Sequence, residues 1–323
     1  MPSLKEIKGR IASVQSTRKI TSAMKMVASS KLHHAQMMIE NMLPYESMLE
    51  TILKSFLAAD VDAKSSITQP REVKKVALIV FASNSSLCGG FNANVLKMMQ
   101  RVADGYIKEG VEVIVYPVGR KVSEKVGKLQ YASAGNFVAL ADKPNAAECQ
   151  RIGQELGLAF RNGEVDRVEM IYHHFKSAGS QILTNKVLMP IDIEEAMDYD
   201  HARDLDHQLA TADSKAYLKE QGGHQALEGT SSESHVVKIN DNFIVEPDME
   251  TVLSKLIPRY VNLMIYTALL DSNASEHAAR MVAMQTATDN ADELLRQLNL
   301  QYNKSRQQAI TSELLDIVGG TMA

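Results

Sequence analysis

Ala274-Ser275-Glu276-His277-Ala278-Ala279-Arg280-Met281-Val282-Ala283-Met284 lies within a run of 60 residues, Arg259 to Val318, that holds neither glycine nor proline. At about 1.5 Å per residue, a helix of that length reaches about 90 Å, more than a compact domain can bury. Arg280, Asp289, Asp292, Glu293 and Arg296 interrupt its middle and exclude a membrane span. Leu253, Leu256, Tyr260, Leu263, Leu270, Ala274, Met281, Met284, Ala291, Leu295, Leu298, Tyr302 and Ala309 recur on alternating three- and four-residue steps. Such a seam stays on one side of the helix and predicts a left-handed supercoil with a partner.

The partner is expected at the other end of the chain. Ile7, Val14, Met24, Ala28, Ala35, Met38, Met42, Tyr45, Leu49, Ile52 and Phe56 share one three-four register, which Arg10, Thr17, Thr21 and Lys31 also occupy. Ser3 followed by Glu6 suits a capping box. Pro44 is expected to bend this helix and Pro258 to kink the later one. Two heptad helices with a domain between them close into an antiparallel pair. The rival reading packs each helix separately on a globular core.

The bulk composition narrows the field. A chain of 323 residues with 45% apolar content has material for two domains. Of its 17 methionines, most fall before residue 50 or after residue 248, where thioethers fill irregular gaps between helices. Cys88 and Cys149 have no metal-site spacing and offer no disulfide framework, so a reducing compartment is expected. Up to Gln36 the chain carries seven Lys or Arg against the single acid Glu6. With no aromatic residue interleaved for stacking, that basic face does not read as a nucleic-acid site.

The middle alternates strands and helices. Val76 to Phe81 reads as a buried strand, Asn92 to Lys108 as a helix, Val111 to Val118 as a strand and Asn145 to Arg161 as a helix. Val168 to Phe175 and Gln181 to Met189 read as two further strands. This pattern predicts a small α/β sheet with parallel pairs. The Cys88-Gly89-Gly90 loop sits between strand and helix, where backbone amides can bind phosphate. It lacks the spacing of the dinucleotide and Walker motifs, so it reads first as a tight turn needing small residues. His173 and His174 on one strand point to opposite faces and cannot share a metal. Residues 191–235 hold 11 acids against three bases and four of the nine histidines, and are expected to form an acidic excursion with one short helix near Leu205 to Leu218. Asp200-His201 and Asp206-His207 there lack the spacing of a metal site. No catalytic residue, cofactor or metal site is expected.

The residues also resemble the γ subunit of F-type ATP synthase of the bacterial type, the rotating central stalk. Ile11 to Thr21 followed by Ala23 to Ala28 is similar to that family's N-terminal signature, and Leu87-Cys88-Gly89-Gly90 to its α/β-domain loop. Ala274 to Met284, Ala287 to Ala291 and Tyr302 to Thr311 are similar to its C-terminal motifs. Asn84-Ser85-Ser86 stands where the family more often has an acidic–basic pair, and the segment after Pro190 has no cysteine where chloroplast relatives carry a dithiol switch. The resemblance implies a stalk of residues 1–58 paired with 248–323, with a Rossmann-like α/β foot at 72–190 inserted between them. An acidic insertion would span 191–237 and a foot segment 238–247. It further implies contacts with the catalytic head at Met24, Lys25, Arg280, Arg306 and Gln307, and with the ring and the ε subunit at Phe243, Ile244, Val245 and Glu246. Ile310, Leu314, Leu315, Ile317 and Val318 would form an apolar bearing tip. The partners implied are the α and β head subunits, ε and the membrane c-ring, with no nucleic acid. The place implied is the cytoplasmic face of the bacterial inner membrane, reached only through the ring. No ATP chemistry would occur on this chain. A coiled-coil adaptor carrying an α/β ligand-binding domain is the alternative, resting on Gly89 and Gly90.

Overall fold

Asp248 opens the longest element. Its Oδ1 accepts the Thr251 N–H at 2.7 Å and its Oδ2 accepts the Thr251 hydroxyl at 2.8 Å, capping a helix that runs Met249–Thr321 over 73 residues, about 110 Å. The structure is a computed structural model that describes residues 3–59, 71–191, 246 and 248–321. The expected short helix near Leu205, the two Asp-His pairs, and Phe243, Ile244 and Val245 lie outside the described residues. Helix α1 spans Leu4–Ala59. At its start Ser3 Oγ accepts the Glu6 N–H at 3.2 Å, but Glu6 turns to Arg10 at 2.8 Å, so only half of the capping box forms. Both helices continue through their prolines: α1 runs on past Pro44, and the long helix begins nine residues before Pro258. Buried Leu253, Ile257, Tyr260 and Val261 flank Pro258 and hold that turn by packing.

The strands and remaining helices are β1 (Lys75–Phe81), α2 (Phe91–Lys108), β2 (Glu112–Val118), α3 (Arg120–Leu129), β3 (Ala132–Ser133), α4 (Val138–Asp142), α5 (Ala146–Arg161), β4 (Arg167–Ser177) and β5 (Ser180–Met189); the long C-terminal helix is α6. The sheet order is β3-β2-β1-β4-β5. The β3-β2, β2-β1 and β1-β4 pairs are parallel, and β5 returns antiparallel on β4 through a tight hairpin. Pleating splits β1: Val76, Leu78 and Val80 join the core beneath α2 and α3, while Ala77, Ile79 and Phe81 face α5 and α6. Helix α5 is capped by Asn145, whose Oδ1 accepts the Ala147 N–H at 2.9 Å.

Every position of the C-terminal seam is buried or half-buried. The seam is nonetheless too narrow a description. From Tyr260 to His277 no α6 residue is exposed, because this stretch packs on α1, α5 and β4 at once. A helix apolar on one stripe could not be enclosed on all sides, and here Val261, Ile265, Ala268 and Leu269 supply the remaining faces. The pairing and the packing-on-core readings therefore both apply to α6, in different stretches.

In α1 the stripe is wider than the strict register. Leu32, Ile39 and Leu53 are buried beside Ala28, Ala35 and Leu49, whereas Tyr45, Arg10, Thr17 and Lys31 are exposed. Thr21 is the polar register position that is buried, and its hydroxyl meets the Thr288 hydroxyl at 2.8 Å. Close by, Arg18 pairs with Asp292. Together these contacts make α1 and α6 antiparallel. The ion pair is half-exposed and contributes under about 1 kcal/mol.

Candidate functional site

The loop between β1 and α2 is built to a specific shape. Leu87 has φ +68° and Gly89 φ +59°, a region that suits glycine and is uncommon for leucine. A Cβ on Gly89 would stand 4.0 Å from the Ala283 Cβ of α6, whereas Gly90 has an ordinary helical φ. The turn thus requires one glycine for conformation, and the other for neither conformation nor the α6 contact. Cys88 is buried, and its Sγ accepts from the Asn92 side-chain amide at 3.1 Å. The same Asn92 Oδ1 accepts the Ser83 N–H at 3.1 Å, tying both ends of the loop together. Leu87 is left outside at 60% exposure. A strained backbone conformation is the kind of outlier that clusters at functional sites, and only an apolar residue in a Ser-Gly loop hinted at it in the sequence.

Arg280 fastens this loop to α6. Its Nη2 donates to Ser85 Oγ at 2.7 Å and to the Ser86 carbonyl at 3.4 Å, and its Nη1 pairs with Glu276 at 2.7 Å. Ser85 and Ser86 serve as neutral acceptors where a charged contact was in question. On the other side Asn84 grips α3: its Oδ1 accepts the Arg120 N–H at 2.8 Å and its carbonyl accepts from Arg120 Nε at 2.9 Å.

Glu276 and His277 are buried on α6 with Lys31 of α1 and Asp142 of α4 near enough to act on them. Burial pushes the Glu276 carboxyl up, and Arg280 partly opposes this. His277 is pushed down to about 4, by burial first, then by Lys31 and Arg280, against Asp142. His173, on β4, is pushed down to about 4 by burial. The two rings of the His173-His174 pair do point apart: His173 stacks on Phe91 at 4.5 Å, while His174 Nδ1 meets Asp271 at 2.7 Å. Burial, then Glu148, raises the Cys149 thiol to about 12, which removes it as a nucleophile at neutral pH. Among the described residues no three His, Cys, Asp or Glu side chains form a metal-sized group, and no helix is long and apolar enough to cross a membrane.

The depressed histidines give a pH prediction. Unfolded imidazoles bind protons below about pH 6.5, whereas folded His173 and His277 resist until about 4. The unfolded state therefore holds more protons in that window, and stability falls as pH drops through it. At pH 5 each histidine is expected to cost about 2 kcal/mol relative to pH 7. Urea unfolding of the full chain at both pH values measures the fall, and His277→Gln should flatten it. An unchanged pH slope in that variant would show that His277 is not protonated differently in the two states.

The remaining sequence-derived positions fall in separate places. Met24 and Lys25 are half-buried on α1, one turn beyond the Thr21–Thr288 contact, near the level of Arg280. Arg306 and Gln307 are exposed, roughly 39 Å along α6 from Arg280. The antiparallel spacing set by Thr21–Thr288 and Arg18–Asp292 places the start of α1 beside Ser305, so these two side chains stand where the paired helices become one. Every described side chain after Ala309 is exposed, including Ile310, Leu314, Leu315 and Ile317; the Val318 side chain is outside the described residues. Glu246 is exposed next to the start of α6.

The fold and sequence were compared with known proteins. The ATP synthase family model matches residues 3–323. An ATP synthase gamma chain of Phocaeicola vulgatus is 49% identical over 100% of both chains, and one from Bacteroides thetaiotaomicron is 48% identical, again over 100% of both. Among solved structures, the central stalk and c-ring of the Tetrahymena thermophila mitochondrial ATP synthase includes a similar chain. It matches with a TM-score of 0.55 and 24% identity, covering 83% of this chain and 99% of that one. A chain of the Euglena gracilis mitochondrial ATP synthase matches with a TM-score of 0.56 and 17% identity, covering 99% and 93%. At these identities the structural matches speak for the fold.

Proposed function

The chain belongs to the ATP synthase γ-chain family and is a central-stalk rotor subunit, and from that premise we propose how its parts divide the work. Helices α1 and α6 form a left-handed coiled-coil axle that turns inside the α and β head. The α/β domain at 72–190 is the foot, and the foot and Phe243 to Glu246 meet ε and the c-ring. Residues 191–237 are a separate insertion. The γ chain carries out no ATP chemistry. It transmits ring rotation to catalytic sites on other subunits, and the reverse during hydrolysis. It sits at the cytoplasmic face of the bacterial inner membrane, held there through the ring.

One observation carries this reading: α6 outruns α1 and ends in exposed Ile310, Leu314, Leu315 and Ile317 with few charges. Such a tip suits rotation in an apolar sleeve, because fixed ion pairs would create deep angular traps. Just below it, Arg306 and Gln307 differ by about 100° around the helix, so they straddle a passing loop of the head instead of gripping one point. Met24, Lys25 and Arg280 face the head lower down, with Leu87 beside them. Arg280 is already bound to Ser85 and Glu276, so its role there is to present the Leu87 loop. The adaptor alternative is disfavoured by relatives that match over their whole length.

The test is Arg306→Ala with Gln307→Ala in the assembled complex. A charge-assisted contact made at one rotor angle is worth about 1.5–3 kcal/mol, so hydrolysis and synthesis should each slow by about tenfold or more while assembly is normal. Parental turnover in both directions, with assembly verified, rejects the catch.

A further inference from the structure

We propose that the basic face of α2 and α3 is a docking surface for an acidic stretch of this same chain, residues 192–206. Both helices pack on Val76, Leu78 and Val80, so the face is turned away from α5 and α6 on the other side of the sheet.

Its charge is one-sided and ordered. On α2 the buried side carries Val95, Met99 and Ala103, and Lys97, Arg101 and Lys108 form an exposed stripe on the opposite side. On α3, Lys121, Lys125 and Lys128 follow at four- and three-residue spacing beside buried Val122 and Val126. The two helices hold two acids, and both are engaged within the face. Asp104 accepts from the Tyr131 hydroxyl at 2.7 Å, and Glu124 pairs with Lys121 at 3.4 Å. In the turn into β2, Glu112 pairs with Lys75 at 3.0 Å. Among the described residues, Lys97, Arg101, Lys108, Lys125 and Lys128 have no ion pair.

Topology brings a matching anion to this face. Strands β1, β2 and β4 are parallel, so α2 and α3 end at the edge of the sheet where those strands begin. Antiparallel β5 finishes at the same edge, with Met189 opposite Val168. The last turns of α2 lie against that corner: the Tyr106 hydroxyl donates to Glu169 of β4 at 2.5 Å, and Asn185 of β5 donates to the same carboxylate at 2.9 Å. Residues 192–206 follow directly after Ile191 and hold seven acids against one base, Arg203. A single exposed ion pair is worth under about 1 kcal/mol, so binding has to come from many charges on each side. Tethering helps, because a short linker sets an effective concentration on the order of millimolar. An external polyanion would have to displace this built-in one.

The experiment treats the full-length chain with a carbodiimide, which joins a carboxylate to a lysine amine only where the two touch, and maps the products by mass spectrometry. Links from 192–206 to Lys97, Lys108, Lys125 and Lys128 are expected in ~50 mM salt, falling about fivefold or more in ~500 mM salt, where screening is strong. Lys176 and Lys304, exposed on β4 and α6, are the controls. Arg101→Glu with Lys97→Glu should cut the Lys108 and Lys128 links about fivefold or more with unchanged circular dichroism. If that variant does not fold, Asp192→Asn, Glu194→Gln, Glu195→Gln and Asp198→Asn together should cut the links from Asp204 and Asp206 instead. Links that are insensitive to salt, unchanged in the folded variant, or as frequent at Lys176 and Lys304 overturn the docking. Phosphatidylglycerol vesicles are the competing arm, and the parent chain is expected not to sediment with them. Sedimentation that is lost in Arg101→Glu with Lys97→Glu gives the face to an anionic membrane and overturns the proposal. The rotor role rests on the family match and survives either result.

Discussion

Gly119→Ala is expected to destabilise the full chain by about 3 kcal/mol or more. Gly119 follows β2 with φ +104° and ψ 150°, a conformation essentially reserved for glycine. A Cβ there would stand 2.0 Å from the Ala82 carbonyl oxygen and 2.9 Å from its carbon. Those are backbone atoms, so no side chain can swing aside. The backbone is pinned as well: the Ala82 N–H donates to Val118 O at 2.9 Å and the Lys121 N–H to Ser83 O at 3.2 Å. Moving either strand end breaks these bonds and loosens Asn84 from Arg120, which opens the loop that Arg280 holds. Urea unfolding measures the loss, with Gly110→Ala as the control. Gly110 also has a positive φ, +79°, but open space around it, so only the left-handed strain of about 1–2 kcal/mol applies. Equal losses in the two variants would show that the Ala82 contact yields freely.

Asp166→Ala comes next, with an expected loss of about 3 kcal/mol. Its Oδ2 accepts the N–H groups of Lys74 and Lys75 at 2.9 and 3.0 Å, and its Oδ1 pairs with Arg71 Nε at 2.7 Å. Arg71 in turn donates to the Phe160 carbonyl at 2.8 Å and to Val165 O, with its guanidinium 4.4 Å above the Phe160 ring. One carboxylate thus ties the entry to β1, the end of α5 and the start of β4. Burial alone would raise its pKa, but the two backbone N–H groups and Arg71 outweigh that and hold it below the usual carboxylate range. Its contribution is complete above about pH 4 and is lost as pH falls through the lowered value. Asp166→Asn should lose about half as much as the alanine variant and should lack that acid-side fall. An Asp166→Ala protein as stable as its parent would remove the carboxylate from the fold's support.

Much of this was readable because the physics is local. Val76 to Phe81 is apolar at every position, as a strand covered on both faces must be, and the heptad seam of α6 is buried or half-buried throughout. Helix α3 escaped because ten residues hold only Val122, Val126 and Leu129 as apolar anchors, with Gly127 among them. Two-residue β3 and five-residue α4 are too short for any period to register. Tyr45 fits the register yet faces out, because the α1 stripe shifts toward Leu49 and Leu53 where α1 meets the sheet-side core. The candidate site was legible as a list of positions but not as an arrangement. Arg280 and Ser85 are 195 residues apart in sequence, and nothing local tells an arginine that its acceptor is a serine on a distant loop. His173 and Phe91 stack for the same non-local reason.

The burial pattern of α6 also sets its stiffness. Between Tyr260 and His277 the helix is clasped on every side. From there the β1–α2 loop also holds it at Arg280, and beyond that α1 alone braces it as far as about Ser305. Packed neighbours restrain a segment against local opening and motion, so the restraint on the helix tapers along its length. The root enclosed by the α/β domain is the stiffest part, and compliance increases toward the tip. A twist applied along α6 is therefore expected to be taken up above the Arg280 level, where the helix has the fewest packed neighbours.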